Sequence, residues 1–175
     1  MNELSFWKII EQTKEKRRDF SHQIELITSS LVALEENHII EFEYRLREIL
    51  DSSAYYSLMA AAKIVTGFVS DDSFLYFRCR LIAEGKKFFY NAIENPDIIE
   101  KRDIQDLEYD GEDMLYVADN AFILKFGENT DKELPRDIAM DYLDYNNLQG
   151  IKGEDWVEEE LPFKYPNLCR KYNQS

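Results

Sequence analysis

The densest group of side chains that could do chemistry lies between two apolar stretches in the first half of the chain. It comprises Ser70, Asp71, Asp72, Tyr76 and Arg78. Carboxylates, a phenol and a guanidinium are groups that bind small polar ligands or take part in acid–base catalysis. One hypothesis is therefore a ligand site formed by Asp71, Asp72, Tyr76 and Arg78.

A structural interpretation explains the same residues without any reaction, and it is the favoured one. Adjacent residues of a helix point about 100° apart, so Asp71 and Asp72 would not converge as a catalytic pair. Ser70 or Asp72 would instead cap a helix, and Asp71 would form a partly buried ion pair with Arg78 on the same helix face.

A second group of charged residues lies near the end of the chain. Its candidate partner-binding residues are Asp155, Trp156, Glu158, Glu159 and Glu160. Alternating acidic and aromatic residues suit the capture of a basic partner. They also suit docking of the segment back onto the protein, which is favoured because a tryptophan left in solvent is costly.

The chain is strongly acidic, and the acidity is uneven. Its 175 residues contain 35 acids and 21 bases, a net charge of −14. The part through Ile93 has 14 acids and 12 bases, net −2, whereas the remainder has 21 acids and 9 bases, net −12. Such a surface disfavours nucleic acid and attracts a basic protein partner. Solubility alone is the plainer explanation of the charge.

Other chemistries lack their sequence signatures. The six glycines occur singly, so they build neither a phosphate loop nor a dinucleotide-binding loop. His22 and His38 have no second ligand at metal spacing, and the chain has no Gly-x-Ser-x-Gly elbow and no calcium loop. We therefore expect no cofactor and no metal, and a non-enzymatic protein is the leading interpretation.

Three features predict a cytoplasmic location. Acidic residues and Lys8 interrupt the N-terminal apolar residues, which argues against a signal peptide. No later stretch has the roughly 18 apolar residues of a membrane span, so no membrane association is expected. Cys79 and Cys169 are too few for a disulfide framework.

Periodic apolar residues predict a series of helices. Ser5 and Asn37 are expected to cap the first and third of them, and Glu41–Arg45 and Glu43–Arg47 are expected to pair on the outer face of the third. The stripe Phe20, Ile24, Ile27, Leu31 and Leu34 marks the second helix. Further helices are predicted at Ala54–Thr66, Ser70–Glu84, Lys86–Glu94, Glu112–Phe126 and, as one turn, Asp137–Leu143.

These elements predict an all-α fold in one compact, bundle-like domain spanning residues 1–175. Its helical core would cover about residues 5–127, and a helix-poor acidic segment at about 128–175 would wrap around it. Residues 99–111, with their weak periodicity, are expected to form a surface connection. The oligomeric state stays open.

Several motifs resemble a known bacterial family. They are Phe6-Trp7-Lys8-Ile9-Ile10, the stretch from Ala60-Ala61-Ala62 to Ser-Asp-Asp-Ser-Phe-Leu-Tyr-Phe-Arg at 70–78, Leu81-Ile82-Ala83-Glu84-Gly85, Gly153-x-x-Trp156, Leu161-Pro162 and Tyr165-Pro166. Together they resemble domain of unknown function family 4240. The chain departs from the family pattern at Met59 and Arg80, where tryptophan is usual. The resemblance implies a small helical bacterial domain and carries no activity or ligand.

Two functional hypotheses result. In the leading one, the chain is a non-enzymatic interaction protein, of the adaptor or immunity type, whose acidic half binds a basic protein surface. In the alternative, it is an enzyme or small-ligand binder that uses Asp71, Asp72, Tyr76 and Arg78.

Overall fold

A computed structural model describes residues 1–102, 111–128, 130–143 and 150–172. It confirms the all-α fold and the irregular C-terminal segment packed against the helices. The α-helices are α1 (Glu3–Lys16), α2 (Phe20–Val32), α3 (Glu36–Ser52), α4 (Tyr56–Thr66), α5 (Asp71–Ala83), α6 (Lys86–Glu94), α7 (Val117–Phe126), α8 (Pro135–Met140), α9 (Leu161–Lys164) and α10 (Pro166–Tyr172). Short 3₁₀ helices span Pro96–Lys101, Gly111–Tyr116 and Glu158–Glu160.

The predicted apolar stripes meet in one core. The rings of Phe6 and Phe42 lie 4.8 Å apart, and those of Trp7 and Phe89 lie 5.5 Å apart. These contacts join α1 to α3 and α6. The nearly uncharged α4 buries Leu58, Ala60, Ala61, Ala62 and Ile64, as its composition predicts.

Two predicted helix caps are wrong. Helix α1 begins before Ser5, and the Asn2 side chain accepts the cap bond from the Ser5 amide at 2.9 Å. Helix α3 follows Glu35, which makes no side-chain cap bond, so Asn37 lies inside the helix. Asn, Asp and Ser are all good caps. Where several such residues, or charged residues, lie near the start of a helix, composition alone does not show which of them is the cap.

Two positions near α5 require glycine, one because of its backbone conformation and one because of close packing. Gly67 ends α4 with φ of 75°, a left-handed conformation that favours glycine. Gly111 lies against α5, where an added Cβ would be 2.1 Å from the Tyr76 carbonyl oxygen. The 3₁₀ helix Gly111–Tyr116 therefore packs on α5 at a distance that only glycine allows at this position.

The predicted helix at Glu112–Phe126 is divided in the structure. A 3₁₀ helix covers Gly111–Tyr116 and α7 begins at Val117. The apolar Leu124 is 70% exposed. It lies in the last turn of α7, where Lys125 and Gly127 are exposed as well, so the helix extends past the residues that cover its first turns. Of the expected connection at 99–111, residues 103–110 lie outside the described chain.

Hydrogen bonds attach the segment 150–172 to the helices. The Tyr56 amide donates to the Lys152 carbonyl at 3.0 Å, and the Lys152 amide donates to the Ala54 carbonyl at 2.8 Å. Farther on, the Asp97 carboxylate accepts from the amides of Asn167 and Leu168, each at 2.9 Å. Leu161, Tyr165, Leu168 and Cys169 thereby join the core.

Across the described ranges, no helix combines the length and the apolar character needed to cross a membrane. The division into a core at 5–127 and a wrap at 128–175 stays a prediction.

Candidate functional site

The polar group at the start of α5 is first of all a helix cap. The Ser70 hydroxyl accepts from the Ser73 amide at 3.2 Å, and the Ser73 hydroxyl accepts from the Ser70 amide at 2.7 Å. Asp71 and Asp72 occupy the first turn and are exposed. Negative charge there is stabilised by the helix dipole. The cap predicted from sequence is confirmed, with Ser70 in that role.

Arg78 is sealed in the core, away from both aspartates. Its Nη1 donates to the Leu50 carbonyl at 2.6 Å and its Nε to the Phe74 carbonyl at 3.3 Å. The guanidinium carbon lies 4.4 Å from the centre of the Phe74 ring. Burial lowers the pKa of Arg78 to about 10, so it stays charged at neutral pH. The predicted ion pair between Asp71 and Arg78 is wrong, because Arg78 turns into the core to meet backbone carbonyls.

The four predicted ligand residues do not line either cavity described below. Asp71 and Asp72 face solvent, Tyr76 is half-buried, and Arg78 is fully buried. The structure therefore places them in three different environments along α5. A ligand-binding role for them stays a prediction.

Sequence reasoning missed the most deeply buried ion pair of the described residues. Arg47 Nε lies 2.8 Å from Glu43 Oε1, and both side chains are almost completely buried. This corrects the expected outward Glu43–Arg47 pair. The second expected pair is also wrong: Glu41 pairs with the N-terminal amine, and Arg45 with Glu48.

Two backbone carbonyls complete the environment of Arg47. Its Nη1 donates to the Leu143 carbonyl at 2.8 Å and its Nη2 to the Arg136 carbonyl at 2.9 Å. Both carbonyls belong to the segment that forms and follows α8. The buried guanidinium therefore ties α8 to α3, and α8 in turn covers the pair from solvent.

Asp119 on α7 adds a second carboxylate to this buried cluster. Its Oδ1 accepts from the Arg136 amide at 2.9 Å. Burial raises the pKa of Asp119, and the bond from Arg136 opposes the rise. Burial also raises the pKa of Glu43 to about 7, opposed mainly by Arg47 and increased by Asp119. The cluster joins α3, α7 and α8, and its closure against solvent suits a structural role.

A helical wheel contains the signal for this cluster. At 100° per residue, Glu43 lies about 20° from Leu50 and about 40° from Ile39, at the edge of the apolar face of α3. An exposed position was therefore not the only one that the period of the same helix allows. The i,i+4 spacing identified the two partners correctly but not the face.

The acidic segment, residues 154–160, lies on the surface as a row of carboxylates. Its five acids are Glu154, Asp155, Glu158, Glu159 and Glu160, all of them exposed. Glu160 pairs with Lys164 at 2.8 Å, and Glu158 lies 4.0 Å from Lys63. Among the residues that the structure describes, Glu154, Asp155 and Glu159 have no basic partner within ion-pair distance.

Trp156 lies within this segment but packs inward. Its half-buried side chain contacts the core, as the docking-back interpretation predicts. The indole Nε1 is buried, and no hydrogen-bond acceptor for it occurs among the residues that the structure describes. Trp156 therefore anchors the acidic segment, and its neighbours rather than the tryptophan form the exposed surface.

A small groove lies between α4 and the residues that follow the acidic segment. It has a volume of about 140 Å³ and is lined by Lys63, Ile64, Gly67, Glu158, Leu161 and Pro162. Three exposed apolar side chains, the apolar rim, neighbour its lining residues in the chain. They are Phe68, Val157 and Phe163, exposed by 68%, 54% and 85%.

A larger, open cavity of about 450 Å³ lies beside α6 and the 3₁₀ helix Pro96–Lys101. Phe88 and Ile98 give it an apolar part, while Glu94 and Lys101 place both signs of charge on its wall. The guanidinium of Arg102 stacks on Phe88 and lies 3.2 Å from Glu84. This mixed lining favours no single class of ligand.

A metal centre has no support within the described ranges, where no three His, Cys, Asp or Glu side chains come together in a way that could hold an ion.

Comparison with protein families gives one match. The model of the family described as "Protein of unknown function (DUF4240)" matches residues 1–123. The match includes α1 to α6 and the capped start of α5, and it ends within α7, before the acidic segment. No curated protein and no solved structure matches the chain significantly.

Proposed function

The chain belongs to the DUF4240 family, whose description assigns no activity, and we propose that it is a non-enzymatic interaction domain that binds a basic protein partner. The binding surface is the acidic segment at residues 154–160. An adaptor or an immunity-type protein would use such a surface.

The observation that carries this proposal is the exposure of carboxylates that the protein itself does not neutralise. Glu154, Asp155 and Glu159 are exposed, and no basic side chain of the described chain lies within ion-pair distance of them. Clustered charge of one sign steers an oppositely charged partner and raises its association rate. The net charge of −12 after Ile93 extends this field over the same half of the chain.

The way the segment is held supports the same role. Trp156 packs against the core, and hydrogen bonds between Lys152 and residues 54–56 fix the preceding turn. A partner would therefore meet a surface that is already ordered, which reduces the entropy lost on binding.

A pair of charge-reversal variants tests the proposal. The first carries Glu158→Lys and Glu159→Lys. The second carries Glu15→Lys and Glu25→Lys, which are exposed on α1 and α2 and change the net charge equally. Binding is measured by fluorescence anisotropy with short synthetic peptides whose net charge ranges from negative to positive.

We expect only the basic peptides to bind, with an affinity that falls as salt rises. The first variant should lose this binding, and the second should retain most of it. Equal losses in both variants would show that total charge matters and not this segment. Absence of binding to every basic peptide at low salt would contradict the proposed function itself.

A further inference from the structure

We infer that the groove between α4 and α9 holds one apolar side chain of the partner, so that the partner segment is basic with an apolar anchor. This inference rests on the proposed function and adds a selectivity element to it. The groove and the acidic segment are continuous, because Glu158 belongs to both.

The size of the groove fits a side chain. Its volume of about 140 Å³ lies below the roughly 300–1,000 Å³ of sites that enclose small-molecule ligands. Ile64, Leu161 and Pro162 supply apolar wall, and Ile64 and Leu161 are themselves part of the core. The groove is therefore a fixed depression rather than a gap between mobile surface side chains.

The apolar rim, whose residues are adjacent in the chain to Gly67, Glu158 and Pro162 of the groove, is exposed. Phe163 is 85% exposed and Phe68 is 68% exposed. Exposed apolar side chains beside a groove are candidates for contact with a partner. Aromatic residues, phenylalanine among them, are enriched at protein interfaces.

Charge selects among the possible occupants of this surface. The acidic segment would repel the anionic headgroups of a membrane and the phosphates of a nucleic acid. A symmetric contact between two copies of the chain would place one acidic segment against another. A basic protein segment is the occupant that neutralises the acids while its apolar residue fills the groove.

The contacts of Lys63 leave Glu158 available to a basic residue of the partner, next to the apolar side chain in the groove. Its Nζ donates to the Gly67 carbonyl at 2.8 Å and lies 4.0 Å from Glu158. The ammonium is thus held by the end of α4 and contacts Glu158 only loosely. A lysine or arginine of the partner could pair with Glu158 without displacing Lys63 from Gly67.

The test uses two lysine-rich peptides of equal length and net charge, one with a central leucine and one with serine in its place. We expect the leucine peptide to bind about tenfold more tightly, since a single apolar group in a pocket contributes about that factor. Phe163→Ser should remove most of this difference. Leu124→Ser is the matched control, because Leu124 is similarly exposed on α7, and it should leave the difference unchanged.

Failure of this inference is distinguishable from failure of the proposed function. If both peptides bind equally and Phe163→Ser changes neither affinity, the groove does not take an anchor, although the acidic segment still binds basic chains. If an uncharged leucine peptide binds as well as the basic one, the assigned partner chemistry is wrong. Concentration-dependent dimers that Phe163→Ser dissociates would identify a second copy as the occupant, and binding to anionic vesicles would identify a membrane. Either result overturns the inference.

Discussion

The molecule contains two groups of carboxylates that the sequence presents in similar terms and the structure treats in opposite ways. Glu43 and Asp119 are buried among α3, α7 and α8, whereas the acids of residues 154–160 are exposed. Burial raises the pKa values of the first group. The comparison shows that the same type of side chain can have two roles. A buried carboxylate contributes to the stability of the fold, whereas an exposed and unpaired carboxylate is available to bind a partner.

Removing the buried cation should have the largest effect. Arg47→Met would leave Glu43 buried without its partner and the carbonyls of Arg136 and Leu143 without their donor. We expect the free energy of unfolding to fall by about 3–5 kcal/mol, measured by urea denaturation at about pH 8. Arg45→Met is the control, since its pair with Glu48 is half-exposed and contributes at most about 1 kcal/mol. Equal effects would mean that burial does not distinguish the two pairs.

Arg78 provides a second contrast between buried and exposed charge. Arg78→Met keeps much of the side-chain volume but removes the donor to the Leu50 carbonyl. We expect a loss of about 1–3 kcal/mol in the free energy of unfolding, measured by urea denaturation. Asp71→Asn, at the exposed start of the same helix, should cost at most about 1 kcal/mol.

The same variants also address the ligand hypothesis for α5. If Arg78→Met left stability unchanged, the structural role assigned to Arg78 would be wrong and a functional role would gain support. If both variants behave as expected, a functional role for Arg78 gains no support.

The raised pKa of Glu43 gives an effect on stability that depends on pH. The unfolded chain has the ordinary value near 4.5 and the folded chain about 7, so between these values the folded state binds more protons. The contribution of the Glu43 carboxyl to stability is therefore fully present below about pH 4.5 and is lost as pH rises through 7.

The measurement is the difference in unfolding free energy between the native protein and Glu43→Gln across this window. We expect the free energy of unfolding of the native protein to fall relative to that of the variant as pH rises from about 4.5 to 7, and the difference then to level off. A flat difference for Glu43→Gln would contradict the raised pKa.

The smallest effect on stability is expected at the acidic segment. Glu158→Lys with Glu159→Lys should change the free energy of unfolding by no more than about 0.5 kcal/mol, as exposed substitutions usually do. Thermal and urea denaturation check this directly. A large loss would show that these acids stabilise the fold, and the contrast with the buried cluster would disappear.

Much of the fold follows from local patterns. Gly67 ends α4 because a residue with φ of 75° favours glycine, and the stripe from Phe20 to Leu31 is buried as its spacing predicts. The caps of α1 and α3 were wrong because several neighbouring residues qualify as caps. The exposure of Leu124 does not follow from the sequence, because apolar character does not reveal where a helix loses its covering neighbours.

The candidate sites were less predictable, for a related reason. Helix spacing correctly paired Glu43 with Arg47, but only the position of α8 explains why both are buried. In the same way, the sequence groups Asp71, Asp72 and Arg78, while the structure directs Arg78 toward the Leu50 carbonyl on another helix.

By itself, the sequence determined the helical class, the acidic second half and the family, since composition, period and motif are local properties of a chain. Tertiary structure alone decided which charges face solvent and that Ile64, Leu161 and Pro162 line one groove. The physical reason is that desolvation and surface shape depend on residues far apart in the chain. Glu43 and Asp119 are separated by 76 positions, and their shared burial exists only after α3, α7 and α8 have packed.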